Sequence, residues 1–541
     1  RGCFFVWCSF GHFYHLSVID NKVKTVRRGK GNAVQALSRA LALVAGLLLL
    51  VIVELGLRAL GIGPSNDLFM AEGGDYRLNP QAARRFFPHQ YARLAPGQDR
   101  FAQDKDEGVL RIFVLGASTL LGFPNPAQTS FPNFLQLMLE DAYPGREIEV
   151  INCGITAINS YVLLDFAEEV AAQEPDLVLI YAGHNEFVGP YGAATPFVRL
   201  GSDRSFIKLQ MRLQRTRIYY LLGEALYYAG QWLRPDGQAP SFGLHLVQRE
   251  IYWGDAAHAE TTANYRDNLS ELLAIMRTRG VPVALCTLVS NLEGFYPLRS
   301  QEPAPPASAE LAEIVNDYPH HAGVHFATGL DRKARADAKG ALEAFKRARD
   351  LDAIHLRACA PFNNILRESA VDGVWLIDLE RAFAAAAPEG IVGDELISEY
   401  LHPTVWGHYL MARNILAQIV QREVAFSGEG VDPDALKSFA QYCRRLGYGV
   451  QQRVLARNDL ILLLRNMPYR DRPQVLEERL SGLVAEQLSE LPKMSYAQIE
   501  DFAGRGGFVF LAKVIEEAGD GNRQRLAAQL MTLAQPLGFM P

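Results

Sequence analysis

Arg111-Ile112-Phe113-Val114-Leu115-Gly116-Ala117-Ser118 is a run of apolar residues that stops abruptly on a glycine, a small residue and a serine. The pattern reads as a strand, a tight turn and a helix start. A serine hydroxyl placed there stands beside backbone N–H groups that point at whatever it meets. Taken alone the turn says little about chemistry, because a serine after a glycine turn is more often an N-cap than a nucleophile. It decides the fold through its neighbours. Apolar runs at 109–115, 147–151, 176–181, 281–288 and 374–377 alternate with helical patterns at 131–142, 161–173, 262–278 and 362–369. Strands alternating with helices predict βαβ units, hence an α/β fold with five parallel strands and helices on both faces.

An open parallel sheet gathers its strand ends along one edge, where ligands bind. Four blocks fall at such ends: Gly116-Ala117-Ser118-Thr119, Asn152-Cys153-Gly154, Gly183-His184-Asn185-Glu186 and, before a later helix, Glu399-Tyr400-Leu401-His402-Pro403. Serine needs a base to take its proton, and histidine suits that task. Gly154, without a Cβ, can bring its N–H close to an oxyanion, and the Asn185 side chain can donate to the same oxygen. Ser118, Gly154, Asn185 and His402 together are the inventory of a serine esterase, with Ser118, His402 and Glu399 as catalytic candidates. The amides of Ser118 and Gly154 and the Asn185 side chain are the candidate oxyanion donors. Glu399, three residues before His402, is the first choice to orient the imidazole, with Asp394 or a backbone carbonyl as substitutes. His184, Glu186 and Asn291 are candidates for substrate contact or for support behind the site, and Arg357 has similar standing.

On these blocks the chain resembles the SGNH/GDSL hydrolase superfamily, in the anchored bacterial branch whose blocks read GxST, GHNE and ExxHP. The likeness covers roughly residues 108–420 and includes all four blocks in order. It implies a flavodoxin-like three-layer α/β/α fold, Ser118 as nucleophile, His402 as base, and Gly154 and Asn185 in the oxyanion hole with the Ser118 amide. The expected reaction is cleavage of acyl esters, O-acetyl foremost, through a covalent acyl-serine, on a carbohydrate or envelope substrate. O-acyl transfer to a polysaccharide by the same residues is one alternative, and a non-catalytic glycan- or partner-binding envelope protein is another. Two departures stand out. The first block lacks the usual Asp before the serine, and Glu399 stands where Asp is commoner.

The rest of the chain sets the context. Residues 40–60 are apolar up to Val53, then admit Glu54 and Arg58, and have the length a bilayer crossing requires. Lys22, Lys24, Arg27, Arg28, Lys30 and Arg39 precede them, against Asp20 alone, which predicts a cytoplasmic 1–39 and an extracytoplasmic remainder. No clean small-x-small cleavage site follows, so the reading is an uncleaved anchor in a bacterial inner membrane rather than a signal peptide. Residues 1–21 are aromatic-rich and patternless, and carry no functional assignment.

Residues 61–107 read as an extended connector whose one dense cluster is Arg84-Arg85-Phe86-Phe87-Pro88. The hydrolase-like domain spans 108–424, with insertions at 196–254 and 302–358. The first holds one amphipathic helix over 207–233, read as a cap packed on the core rather than a lid or a membrane-surface segment. The second contains a tetratricopeptide-like helix at 341–352 without a second copy, expected to pack on the catalytic domain. A C-terminal helical region, 425–541, shows no chemistry.

The net charge of −6 with scattered basic residues excludes a nucleic-acid surface. Six cysteines without CxxC spacing indicate neither zinc nor a disulfide framework, and His320, His321 and His325 lack a carboxylate partner at ligand spacing, so no metal and no cofactor are expected. The expected partners are an acyl-ester substrate carried on a polysaccharide, the membrane, and a protein at the helical insertions.

Overall fold

The computed structural model describes residues 13–63, 65, 67–87, 96–195, 203–233, 247, 249–305, 311–371, 373–422, 435–465, 473–518 and 520–535. Residues 1–12 and stretches of both insertions, among them 196–202, 234–246 and 306–310, lie outside it. The chain forms two compact units, one of residues 1–64 and 212–235, the other of 65–211 and 236–541.

The large unit is built on the predicted sheet. An antiparallel trio comes first: β1 (Phe69–Glu72), β2 (Asp75–Leu78) and β3 (Arg100–Ala102). The main sheet has β4 (Leu110–Gly116), β5 (Ile148–Asn152), β6 (Leu177–Tyr181), β7 (Val283–Cys286) and β8 (Val374–Ile377), all parallel, in the order β5-β4-β6-β7-β8. The strands match the predicted runs to within a few residues because they are largely apolar, as strands covered on both faces are, with Arg111 of β4 and Glu149 and Asn152 of β5 as the polar members. β6 is buried at every position.

In the first half of the chain the helices are α1 (Phe13–Ala59), α2 (Phe131–Ala142), α3 (Ser160–Ala171), α4 (Arg204–Gln214), α5 (Arg217–Leu233), α6 (Ala256–Thr278) and α7 (Leu311–Asp317). Next come α8 (Ala322–Ala334), α9 (Ala338–Asp350), α10 (Ala360–Ser369), α11 (Leu379–Ala386) and α12 (Val405–Gln421). The C-terminal set is α13 (Phe439–Arg445), α14 (Val450–Arg465), α15 (Pro473–Glu490), α16 (Tyr496–Gly504), α17 (Gly507–Glu516) and α18 (Asp520–Ala534). The chain moves from β4 outward to β5 and then back across β4 to β6. Right-handed crossovers therefore put α2 on one face of the sheet and α3, α6 and α10 on the other. α12 packs on α2, and α3 on α6, completing three layers.

Residues 61–107 are not an extended connector. The hairpin of β1 and β2 turns at Gly73-Gly74, both at positive φ, a two-residue loop that glycine alone enters without strain. Phe69 and Phe101 set their rings edge-on to Phe113 of β4, at 5.7 and 5.2 Å. Arg85 is buried against Asp165 and sits over the rings of Phe86 and Phe166 at 4.8 and 4.9 Å. The Arg-Arg-Phe-Phe cluster is thus what docks this segment on α3. Arg111, at the start of β4, is likewise buried, and reaches Glu149 at 2.5 Å and the Ala102 carbonyl at 2.9 Å.

The segment at 207–233 is two helices rather than one. Thr216 breaks it, its Oγ1 accepting from Tyr219 N at 3.2 Å. Only α4 supplies side chains to the main core, through Ile207 and Met211, while α5 groups with α1, so the reading of a single cap packed on the core fails for 217–233. α8 and α9 form a helical hairpin in which a Cβ on Gly329 would approach the Phe345 ring to 2.7 Å. That hairpin packs through Phe326, Phe345 and Ala348 onto Leu292, Tyr296 and Ile391.

α14 to α18 have an apolar core of their own around Val454, Ile461, Val484, Leu511 and Leu526. α1 contains one stretch, Leu37–Ala59, long and apolar enough to cross a membrane.

Candidate active site

The register of the sheet puts the first three blocks side by side. Val114 of β4 pairs with Asn152 of β5, and Gly116 pairs with Tyr181 of β6, so the chain after each strand emerges on the same edge. β4 is where successive crossovers diverge, the position in open α/β sheets where a crevice forms. Glycines make the close approaches. A Cβ on Gly116 would collide with the Tyr181 carbonyl, and one on Gly154 would come within 2.6 Å of Leu120 Cβ. Gly183 adopts φ +146°, and a Cβ there would lie 2.6 Å from Leu288.

Ser118 opens a 3₁₀ turn, Ser118–Leu121, and its Oγ lies 2.7 Å from His402 Nε2. His402 Nδ1 faces Glu399 Oε1 in a short hydrogen bond. Nδ1 thus carries the proton donated to the carboxylate, and Nε2 offers its lone pair to the serine hydroxyl. Glu399 is fully buried, and its carboxylate also accepts from the amides of Tyr400, Leu401 (3.0 Å) and His402 (3.1 Å). The side chain folds back over its own turn, which takes up the extra methylene that separates glutamate from aspartate. Of the two carboxylates considered, Glu399 is the one hydrogen-bonded to His402 Nδ1. Asp394 turns elsewhere, accepting from Asn291 Nδ2 at 2.6 Å and Arg479 Nη2 at 2.7 Å.

The oxyanion candidates differ in availability. Asn185 Nδ2 donates one hydrogen to the Ile158 carbonyl at 3.0 Å, and an amide nitrogen carries two, so one is left for a ligand. The single Gly154 N–H already donates to Asn152 Oδ1 at 3.0 Å, and an oxyanion there would have to share it. Asn152 is a residue that sequence reasoning quoted without giving it a role. Its Nδ2 binds the Leu120 carbonyl at 2.6 Å, so one side chain links the Ser118 turn to the Gly154 turn.

The other candidates are buried and held by hydrogen bonds of their own. His184 Nδ1 accepts from Ala358 N at 3.1 Å and its Nε2 lies 3.3 Å from Tyr181 Oη. Burial drives its pKa down to about 3, so it is a neutral, hydrogen-bonded core histidine. Glu186 accepts from Ser160 N at 2.9 Å and Ser160 Oγ at 2.7 Å at the start of α3. Burial pushes its pKa up to about 7, against the lowering effect of those bonds. Asn291 is fully buried; besides Asp394, its Nδ2 donates to the Ile397 carbonyl at 3.2 Å, its Oδ1 accepts from Gly294 N at 2.7 Å, and its backbone N–H donates to the Tyr400 carbonyl at 3.0 Å. Arg357 Nη1 reaches the Asn291 carbonyl at 2.8 Å. None of these four is placed against Ser118 by the bonds they make.

His321 caps α8, accepting from Val324 N at 3.1 Å, and His325 Nε2 lies 3.0 Å from the Pro319 carbonyl. Among the described residues no three metal-ligating side chains gather.

Three contacts had no signal in the sequence. Phe123 presents its ring edge to His402, with centroids 5.1 Å apart, and Asn125 Nδ2 donates to the Pro403 carbonyl at 3.2 Å. Arg479, on α15, donates to the carbonyls of Gly294 and Ser398, the latter at 2.7 Å, and to Asp394. The loop from Asp394 to His402 is thereby braced from the C-terminal region. A cavity of 340 Å³ lies beside that brace, lined by Asn125, Ser398, Thr404, Arg453, Arg457 and Arg479 among others.

No family model matches the chain, and no curated protein does. Among solved structures it is similar to the acetyl xylan esterase AlAXEase, at 14% identity over 57% of this chain and 100% of that one, with a TM-score of 0.30. A catalytic mutant of the acetylxylan esterase Axe2 from Geobacillus stearothermophilus matches at 15% identity, over 62% and 99% of the two chains, with a TM-score of 0.28. A GDSL-like lipase from Bacteroides thetaiotaomicron VPI-5482 matches at 13% identity, over 60% and 93%, with a TM-score of 0.28. At scores of this size the likeness assigns no function, and the chain's own residues must do so.

Proposed function

We propose that this protein is a serine esterase that cleaves acyl esters through a covalent Ser118 ester. The observation that carries the reading is the continuous relay from Ser118 Oγ through the His402 ring to the buried Glu399 carboxylate, with a 2.7 Å first link. His402 Nε2 takes the hydroxyl proton as Ser118 Oγ bonds to the ester carbonyl carbon. The negative charge then on the carbonyl oxygen faces the Ser118 amide and the free Asn185 N–H, with Gly154 shared between it and Asn152. Collapse breaks the bond to the leaving alcohol, which receives the proton from His402. Water, activated by the same imidazole, attacks the acyl-enzyme and releases the acid and Ser118.

A sugar hydroxyl in place of that water turns hydrolysis into O-acyl transfer without any change of residues. The resemblance in the four blocks favours O-acetyl groups on a carbohydrate or envelope polymer as the substrate. The basic residues between Lys22 and Arg39, ahead of the apolar stretch of α1, favour an anchored protein whose large unit faces away from the cytoplasm.

The test is intact-mass analysis after exposure to a fluorophosphonate. A single adduct is expected on the wild type and none on Ser118→Ala or His402→Ala. A folded wild type that takes no adduct would overturn the reading.

A further inference from the structure

Glu54 is the first ionisable residue to interrupt the apolar run of α1, and a charge at that depth is costly unless it is paired. Its carboxylate accepts from Arg217 N at 3.0 Å and Ile218 N at 3.1 Å, the opening amides of α5, and from Arg58 Nε at 2.7 Å. Arg58 Nη2 in turn reaches the Arg215 carbonyl at 3.1 Å. The first amides of a helix have no partner inside it, and the helix dipole favours an anion beside them. Glu54 therefore caps α5 from a different helix, and the end of α1 and the start of α5 form one joint.

From that joint α5 does not run back along α1. Between Leu37 and Ala59 only Glu54, Gly56 and Leu57 are less than exposed. α5 is apolar around most of its girth. Leu222, Leu226, Tyr228 and Trp232 are 57%, 65%, 61% and 84% exposed, and a Cβ on Gly223 or Gly230 would meet nothing within 4 Å. Arg217 and Glu224, seven residues apart, share the opposite, half-buried side with Tyr220 and Tyr227. An uncovered apolar helix face of this extent belongs against another surface.

We infer that α5 lies in the interfacial layer of the bilayer that α1 crosses, on the side where α1 ends, with Leu222 and Leu226 turned into the lipid. The occupant is lipid because the joint fixes the start of α5 at the level where the crossing ends. Its side chains are also those that settle at that level, tyrosine and tryptophan rings beside leucines. Such helices sink about 5–10 Å into the boundary between headgroups and acyl chains. The inference rests on the reading of α1 as an anchor.

The full chain, with Cys3 and Cys8 replaced by serine, is labelled with an environment-sensitive fluorophore at Leu226→Cys, Glu224→Cys or Leu47→Cys. Each is reconstituted into phosphatidylcholine vesicles with and without brominated acyl chains. The Leu47 and Leu226 positions should lose most of their emission to bromine, while the Glu224 position loses little. Quenching at Leu47 with none beyond the Glu224 level at Leu226 would overturn the placement of α5 and leave the anchor standing. No quenching at Leu47 would remove the anchor itself, and the inference with it.

Discussion

The turn that carries Ser118 and the loop that carries Glu399 and His402 meet across a 2.7 Å hydrogen bond, yet they are built from different materials. The first is an extension of the sheet. β4, β5 and β6 fix it through backbone register, and Gly116 and Gly154 let the chain pass where no Cβ fits. The second lies outside the sheet and is held by side chains from distant segments: Asn291 after β7, Asn125 from the Ser118 side and Arg479 from α15. A sheet edge positions a nucleophile through short-range geometry. A loop that must aim an imidazole relies on hydrogen bonds gathered from far along the chain.

That contrast can be tested, beginning where the loss should be greatest. Glu399→Gln keeps the shape of the loop but no longer holds the working tautomer, and kcat should fall about 10³- to 10⁴-fold. Steady-state kinetics on a chromogenic acetyl ester will check it. A loss below tenfold would mean that the three backbone amides, rather than the carboxylate, organise the loop.

Gly154→Ala attacks the other half. With the new Cβ 2.6 Å from Leu120 Cβ, the two turns must separate, at about 1–3 kcal/mol of stability measured by denaturant titration. Its kcat should fall by about 10²-fold as the oxyanion donors shift. Unchanged kcat and stability would show the nucleophile side to be less rigid than its glycines indicate.

Arg479→Ala should lower kcat by about tenfold with little change in KM, part of the 1.5–3 kcal/mol of a charge-assisted bond reaching the transition state. Arg479→Lys should recover only part of it, since an ammonium cannot reproduce the planar fork that spans three acceptors. A fall in thermal stability with kcat intact would reduce Arg479 to a packing residue.

The smallest effect concerns Glu186. Its folded pKa, raised to about 7 from 4.5, means that the native state holds a proton the unfolded chain releases. Stability tied to that proton is complete below about pH 4.5 and is lost as pH rises through about 7. The Tm of Glu186→Gln relative to wild type should therefore climb across that window and level off above it. A constant difference would mean that Glu186 stays ionised throughout.

Most of the nucleophile side was legible in the sequence because strand, glycine and serine are contiguous. A buried parallel strand also announces itself by an unbroken apolar run. Glu399 and His402 were legible as a pair three residues apart, but not the fold-back of the glutamate that joins them. Arg479 was invisible, because nothing near it in sequence distinguishes an arginine that braces a loop from one that solvates a helix. The segment at 61–107 misled for a related reason. Its strands are three or four residues long, too short for a period-two pattern to stand out, and its order comes from Phe69, Phe101 and Arg85 finding partners in β4 and α3. At 207–233 the helical period continues across Thr216, and the break is sealed by Glu54, far upstream.

The bond from Arg479 to the Ser398 carbonyl also bears on the order of events during synthesis. Ser118 leaves the ribosome first and His402 much later, while α15 follows later still. A nascent chain that already holds both reactive side chains has an unbraced histidine loop until α15 emerges. On the proposed reading, activity should therefore arrive only once α15 has emerged, and chains cut short before it would carry Ser118, Glu399 and His402 in a loosely aimed, weakly reactive form.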